Sequence, residues 1–210
     1  MYAPDYHFAT NSAYEILLKC NFELPVRIST IIKQFNGDIK VVSYSKAARK
    51  EQKSHSEIVK KFASDYGFIT RDPTDPWRSI IYYNDKKSPQ TIRFTLAHEI
   101  GHYVLGHLDD DDVSQKEANC FARNLLCPVP VRNNLQGNVL KSYVDRFNIS
   151  ERMAQTTIGL LKSDLYYIKE EFYYELASDY LLYELFDTCD DFICDEVDEI
   201  IFNNDEKKAP

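Results

Sequence analysis

Two histidines four residues apart, with a glutamate between them, are the residues of this chain best suited to chemistry: His98-Glu99-Ile100-Gly101-His102. On a helix, positions i and i+4 share a face with Cβ atoms about 5–6 Å apart. Two imidazoles so placed can share one Zn²⁺ at about 2.0–2.1 Å each. Glu99 points away from that axis, yet its side chain is long enough to reach a metal-bound water as general base, which is the chemistry of a zinc peptidase. A catalytic zinc also needs a third protein ligand and an open position. His107, the run from Asp109 to Asp112 and Glu117 are the candidates. A pattern with Gly three and His six positions after the second histidine is excluded, because Leu105 and Leu108 stand there. The four aspartates read as a solvated turn that ends the helix. A carboxylate on a separate helix packed against the first is the expected solution, and Glu117 is placed for it.

The elements that must hold these residues can be read from periodicity. Ile92, Leu96, Ile100, Val104 and Leu108 form an i, i+4 ladder, as the buried stripe of one long helix would. The ladder is offset from the two histidines by two residues, so one side of the helix packs while the other holds metal. Residues 115–126 read as a second helix, stopped by Pro128. Upstream, residues 9–20, 25–35 and 56–66 read as helices, and 39–44, 68–70 and 79–84 as strands, with a turn-rich loop at 71–76. Downstream, 139–147 and 150–161 are helical, with Ser150 as an N-cap, and the rest from Asp164 is helical, acidic and tyrosine-rich. Three strands leading into a helical half predict an α+β fold. The expected division is a peptidase domain over 1–135 and a helical C-terminal region over 136–210.

Two blocks narrow the reading. Arg93-Phe94-Thr95-Leu96-Ala97-His98-Glu99-Ile100-Gly101-His102 is followed by Glu117-Ala118-Asn119-Cys120-Phe121-Ala122-Arg123-Asn124-Leu125-Leu126-Cys127-Pro128. Together they resemble the ImmA/IrrE family of metallopeptidases, which pairs an RFTLAHELGH-type helix with an EANxFAxxLLxP helix. The resemblance covers roughly residues 9–165. It implies a zincin-like domain in which His98, His102 and Glu117 bind zinc and Glu99 is the base. It also implies a protein substrate, a helix-turn-helix repressor whose cleavage relieves repression. Family members often carry another glutamate two residues before the EAN, and Gln115 stands there in this chain. Gln115 shares a helix face with Asn119, whereas Glu117 points to another side. That departure motivates an alternative, a non-catalytic protein that keeps the scaffold and holds a repressor or antitoxin-like partner uncut.

Composition bounds the remaining classes. The chain has 210 residues and a net charge of −8, a balance that repels phosphate backbones and argues against direct nucleic-acid binding. Phe147-Asn148-Ile149-Ser150 resembles the turn of a helix-turn-helix, but the helix after it offers only Arg152 and Gln155 for reading bases. No apolar run reaches the 18 residues of a membrane span, and the first 20 residues lack the basic and apolar regions of a secretory signal. Five cysteines without close spacing suggest free thiols, hence a cytoplasmic protein. Cys189 and Cys194 lack a second pair for a structural zinc. The tyrosines from 166 to 183 read as a packing face or as an interface.

Overall fold

The structure, a computed structural model, describes residues 3–109, 111–135 and 139–186. Its elements are α1 (Tyr6–Leu17), α2 (Ile28–Lys33), β1 (Ile39–Ser43), α3 (Tyr44–Glu51), α4 (His55–Phe62), β2 (Gly67–Asp72), β3 (Asp75–Tyr83), α5 (Pro89–Val104), α6 (Asp112–Leu126), α7 (Val129–Asn134), α8 (Val139–Phe147), α9 (Glu151–Gly159), α10 (Leu161–Tyr167) and α11 (Glu170–Phe186). The α+β fold expected from the sequence is observed. Among the described residues, no helix is long and apolar enough to cross a membrane.

The three strands form one sheet in the order β1-β3-β2, with β1 parallel and β2 antiparallel to β3. Strand alternation sends side chains to opposite faces, and here both faces are covered. Ile39, Val41, Ile81 and Tyr83 join the main core, whereas Val42, Phe68 and Tyr82 pack on a small cluster of Tyr44, Ala47, Ala48 and Ile58 from α3 and α4. Cross-strand pairing brings Phe68 opposite Tyr82, and their rings stack with centroids 5.2 Å apart. At Gly67, where β2 begins, an added Cβ would come within 2.6 Å of both Thr95 Cγ2 on α5 and the Tyr82 carbonyl oxygen. The missing side chain is what lets the sheet lie so close to α5.

Several boundaries depart from the sequence reading, each for a local reason. The strand expected to run through Tyr44 stops at Ser43, whose hydroxyl accepts a hydrogen bond from the Lys46 N–H at 3.1 Å and caps the unexpected α3. The loop expected at 71–76 is a tight hairpin in which Asp72 accepts from the Thr74 N–H at 2.8 Å, and β3 already starts at Asp75. The prolines at 128 and 130 do not merely stop α6. Pro128 caps the short α7, and Pro130 sits in its first turn, where no N–H is needed. The ladder on α5 ends a turn early. Ile92, Leu96 and Ile100 are buried, but the helix stops at Val104 and Leu108 is 86 % exposed.

The main core does not stop at residue 135, where the domain division was expected. One continuous cluster includes Ala13 and Tyr14 of α1, Phe121 and Leu125 of α6, and Tyr143, Phe147, Leu176 and Tyr180 of the C-terminal helices. A buried ionic cluster reinforces that join. Asp164 on α10, fully buried, accepts from Arg123 Nε at 2.9 Å, Arg123 Nη2 at 2.7 Å and Arg132 Nη1 at 2.8 Å. Tyr14 and Asn124 extend the cluster to α1 through a 2.9 Å hydrogen bond. The tyrosines of the C-terminal helices serve packing in part: Tyr180 and Tyr183 meet Phe22 edge-on. Cys189, Cys194 and the polar end of the chain lie outside the described residues.

Candidate functional site

Helix α5 is started by Ser88, whose hydroxyl accepts from the Thr91 N–H at 3.3 Å, and by Pro89 in its first turn. Its buried stripe fixes its rotation, and Gly101 fixes how near α6 can come. A Cβ at Gly101 would lie 3.0 Å from Phe121 Cδ1 and 3.3 Å from the backbone of Ala118. Glycine on one helix and a buried alanine on the other thus allow close contact between the two helix backbones. That contact sets the first turns of α6 beside His102. Helix α6 itself is capped by Asp111, whose carboxylate accepts from the Ser114 N–H at 2.7 Å.

At this junction His98 Nε2 and His102 Nε2 converge to 3.0 Å. The Gln115 amide lies 3.2 Å from His102 Nε2. The other nitrogen of His102, Nδ1, lies 3.0 Å from Nδ1 of His107, and His107 Nε2 lies 2.9 Å from Glu117 Oε2. The second oxygen of Glu117 accepts from the backbone N–H of Asp5 at 2.6 Å, reaching the N-cap of α1. Glu99 and His102 are each only 7 % exposed. Burial raises the Tyr44 hydroxyl pKa, and the Glu99 charge adds to the rise.

A family model for the IrrE N-terminal-like domain, Peptidase_M78, matches residues 50–157, just over half of the chain. The chain belongs to that family. No curated protein matches it. The Peptidase_M78 match runs from the end of α3 to α9, so it holds both helices of the site and supports a peptidase-type function. The zincin-like α+β architecture expected for the family is the one described above.

The residues of this Peptidase_M78 domain can be tested against the metal that the family implies. Two donors about 2.0–2.1 Å from a tetrahedral zinc stand about 3.3 Å apart, and the 3.0 Å between the two Nε2 atoms is close to that. His98 and His102 therefore fit two corners of a metal site. Among the described residues, no group of three or more His, Cys, Asp and Glu converges to hold a metal. The third neighbour of the pair is instead Gln115, whose amide can turn its oxygen inward as a neutral donor. Glu117, expected as the third ligand, has its carboxylate on His107 and Asp5. The sequence offers His107 as a possible ligand or oxyanion stabiliser, and it carries no local signal for the Asp5 N–H. That Gln115 and Glu117 face different sides of α6 was the usable clue.

Proposed function

We propose that the chain is a zinc-dependent endopeptidase acting on a protein substrate. The observation that carries this reading is the convergence of His98 and His102 Nε2 at 3.0 Å on either side of Glu99, inside the matched family domain. A zinc ion held there would supply the Lewis acidity that activates water and polarises a peptide carbonyl. Glu99 takes the proton that the attacking water gives up and returns it to the leaving amine. His98 and His102 would hold the ion through the Nε2 atoms that converge here, and the buried stripe of α5 keeps both rings on one side of the helix. The family resemblance supports a helix-turn-helix repressor as substrate, so that cleavage relieves repression.

The test is to measure zinc in the purified protein and to follow cleavage of a small helix-turn-helix protein encoded beside its gene. Glu99→Gln should lower the cleavage rate at least about 100-fold with zinc retained, given the usual contribution of a general base. Full activity in that variant would refute the mechanism. One observation favours a second reading, a binding protein that holds its partner uncut: the neutral amide of Gln115 beside the histidine pair. Tight binding of an intact repressor by the zinc-loaded protein would select it.

A further inference from the structure

We infer that the acidic segment 187–210 docks, within the same chain, on the basic face that α3 and α4 present. Charge is divided unevenly along this chain. Residues 187–210 hold nine acidic and two basic side chains, so they carry −7 of the net −8. The residues before them are almost neutral in sum, and the repulsion of polyanions expected from the total does not describe their surface. Residues 44–62, which span α3 and α4, hold Lys46, Arg49, Lys50, Lys53, Lys60 and Lys61 against only Glu51 and Glu57. On α3, Lys46, Arg49 and Lys50 fall at i, i+3 and i+4 and share one side of the helix. Its other side buries Tyr44, Ala47 and Ala48 against Ile58 of α4.

Both carboxylates of this region are already engaged. Glu51 pairs with Lys53 Nζ at 3.0 Å and with Lys61 Nζ at 2.5 Å, which ties the end of α3 to the end of α4. Glu57 accepts from the Ser54 N–H at 2.8 Å and from the Ser54 hydroxyl at 2.6 Å. Arg49, Lys50 and Lys60 are exposed, and among the described residues no carboxylate forms an ion pair with any of the three. The covalent link decides which anion meets them. A segment as long as 187–210 reaches up to about 80 Å, against about 40 Å across a folded body of this size. Such a tether holds the segment at an effective concentration of about 1 mM, so a contact with a Kd of about 0.1 mM is about nine-tenths closed. A second copy at micromolar concentration brings the same charge without that advantage.

Two measurements test this on the full-length protein. Carbodiimide joins a carboxylate to an amine without a spacer, so it records ion pairs as amide links that peptide mapping can locate. Links from the acidic residues between 187 and 199 to Lys50, Lys53, Lys60 or Lys61 are expected in the monomer, at a yield that dilution leaves unchanged. The yield should fall at least about 5-fold between 0.05 and 0.5 M NaCl, as the Debye length shortens from about 14 Å to about 4 Å. Links found only in dimers, only at lysines outside α3 and α4, or not at all would each overturn the proposal. Binding of a 20-base-pair DNA duplex, used as a polyanion probe, is the second readout. Replacing Asp190, Asp191, Asp195 and Glu196 by their amides should uncover the face and tighten duplex binding at least about 10-fold at 0.1 M salt. Adding Lys60→Glu and Lys61→Glu should remove that gain; both side chains are exposed, so circular dichroism should show an unchanged fold. Equal duplex binding by wild type and the amide variant would overturn the proposal, and tight binding by both would make nucleic acid the occupant of the face.

Discussion

Replacing Asp164 by Asn tests how the C-terminal helices are tied to the helix that carries half of the site. The wild-type carboxylate is fully buried and takes three hydrogen bonds from two arginines, of which Arg132 is itself buried. Asparagine keeps the shape but leaves two guanidinium groups in the interior without a counter-charge. Removing one partner of a buried ion pair typically costs about 3–5 kcal/mol. For a domain of this size each kcal/mol moves Tm by about 2–4 °C, so a loss of about 6–20 °C is expected. Urea titration followed by circular dichroism should show the same loss at an unchanged m-value. The pH profile adds a second readout. Burial by itself would raise the Asp164 pKa, but the hydrogen bonds and charges of Arg123 and Arg132 outweigh it and hold the carboxyl below its ordinary value of 3.8. A carboxyl lowered in the folded state adds stability that is complete above the unfolded pKa of about 3.9 and is lost as pH falls through the lower folded value. Wild-type stability should therefore drop more steeply in that acid window than that of Asp164→Asn. A stability difference below about 1 kcal/mol at neutral pH, or identical acid limbs, would refute the reasoning.

Two further outcomes follow from packing and burial. Gly101→Val must push Phe121 and the Ala118 backbone away, because the first added carbon already falls 3.0–3.3 Å from them. Overpacking of this kind costs about 1–3 kcal/mol, and the variant should lose both stability in urea and any zinc binding by the histidine pair. Cys127 and Cys120 should resist alkylation by iodoacetamide at pH 8, read by peptide mapping, and react fully in guanidinium. Burial pushes the Cys127 thiol up to about 12 and raises that of Cys120 as well, so little thiolate exists to react.

The histidine pair was legible because it depends only on helix periodicity, which the apolar stripe of α5 announces. What α6 does with Gln115 and Glu117 was half legible. Their two-residue spacing shows that they face apart, but which one meets His102 depends on the contact of Gly101 with Ala118, a relation between two helices. The role of Glu117 was hidden for a further reason: its partner at Asp5 lies 112 residues away in the chain. Asp164 reads as one more residue of an acidic stretch, and only the fold brings Arg123 and Arg132 around it. Helix α3 was missed because the alternation of β1 runs straight into it, and α7 because proline signals equally a stop and a first turn.

The contact between Asp5 and Glu117 has a consequence for sequence drift. Its donor is a main-chain amide, so it makes no demand on the identity of the side chain at position 5. Substitution there can run through every residue but proline and still leave Glu117 its N–H. Only the capping of α1, where the Asp5 carboxylate accepts from the Phe8 N–H at 2.8 Å, restrains the choice. The residue that starts a helix outside the matched segment can thus change while its main chain continues to brace the site through a bond that no comparison of residue identities would register.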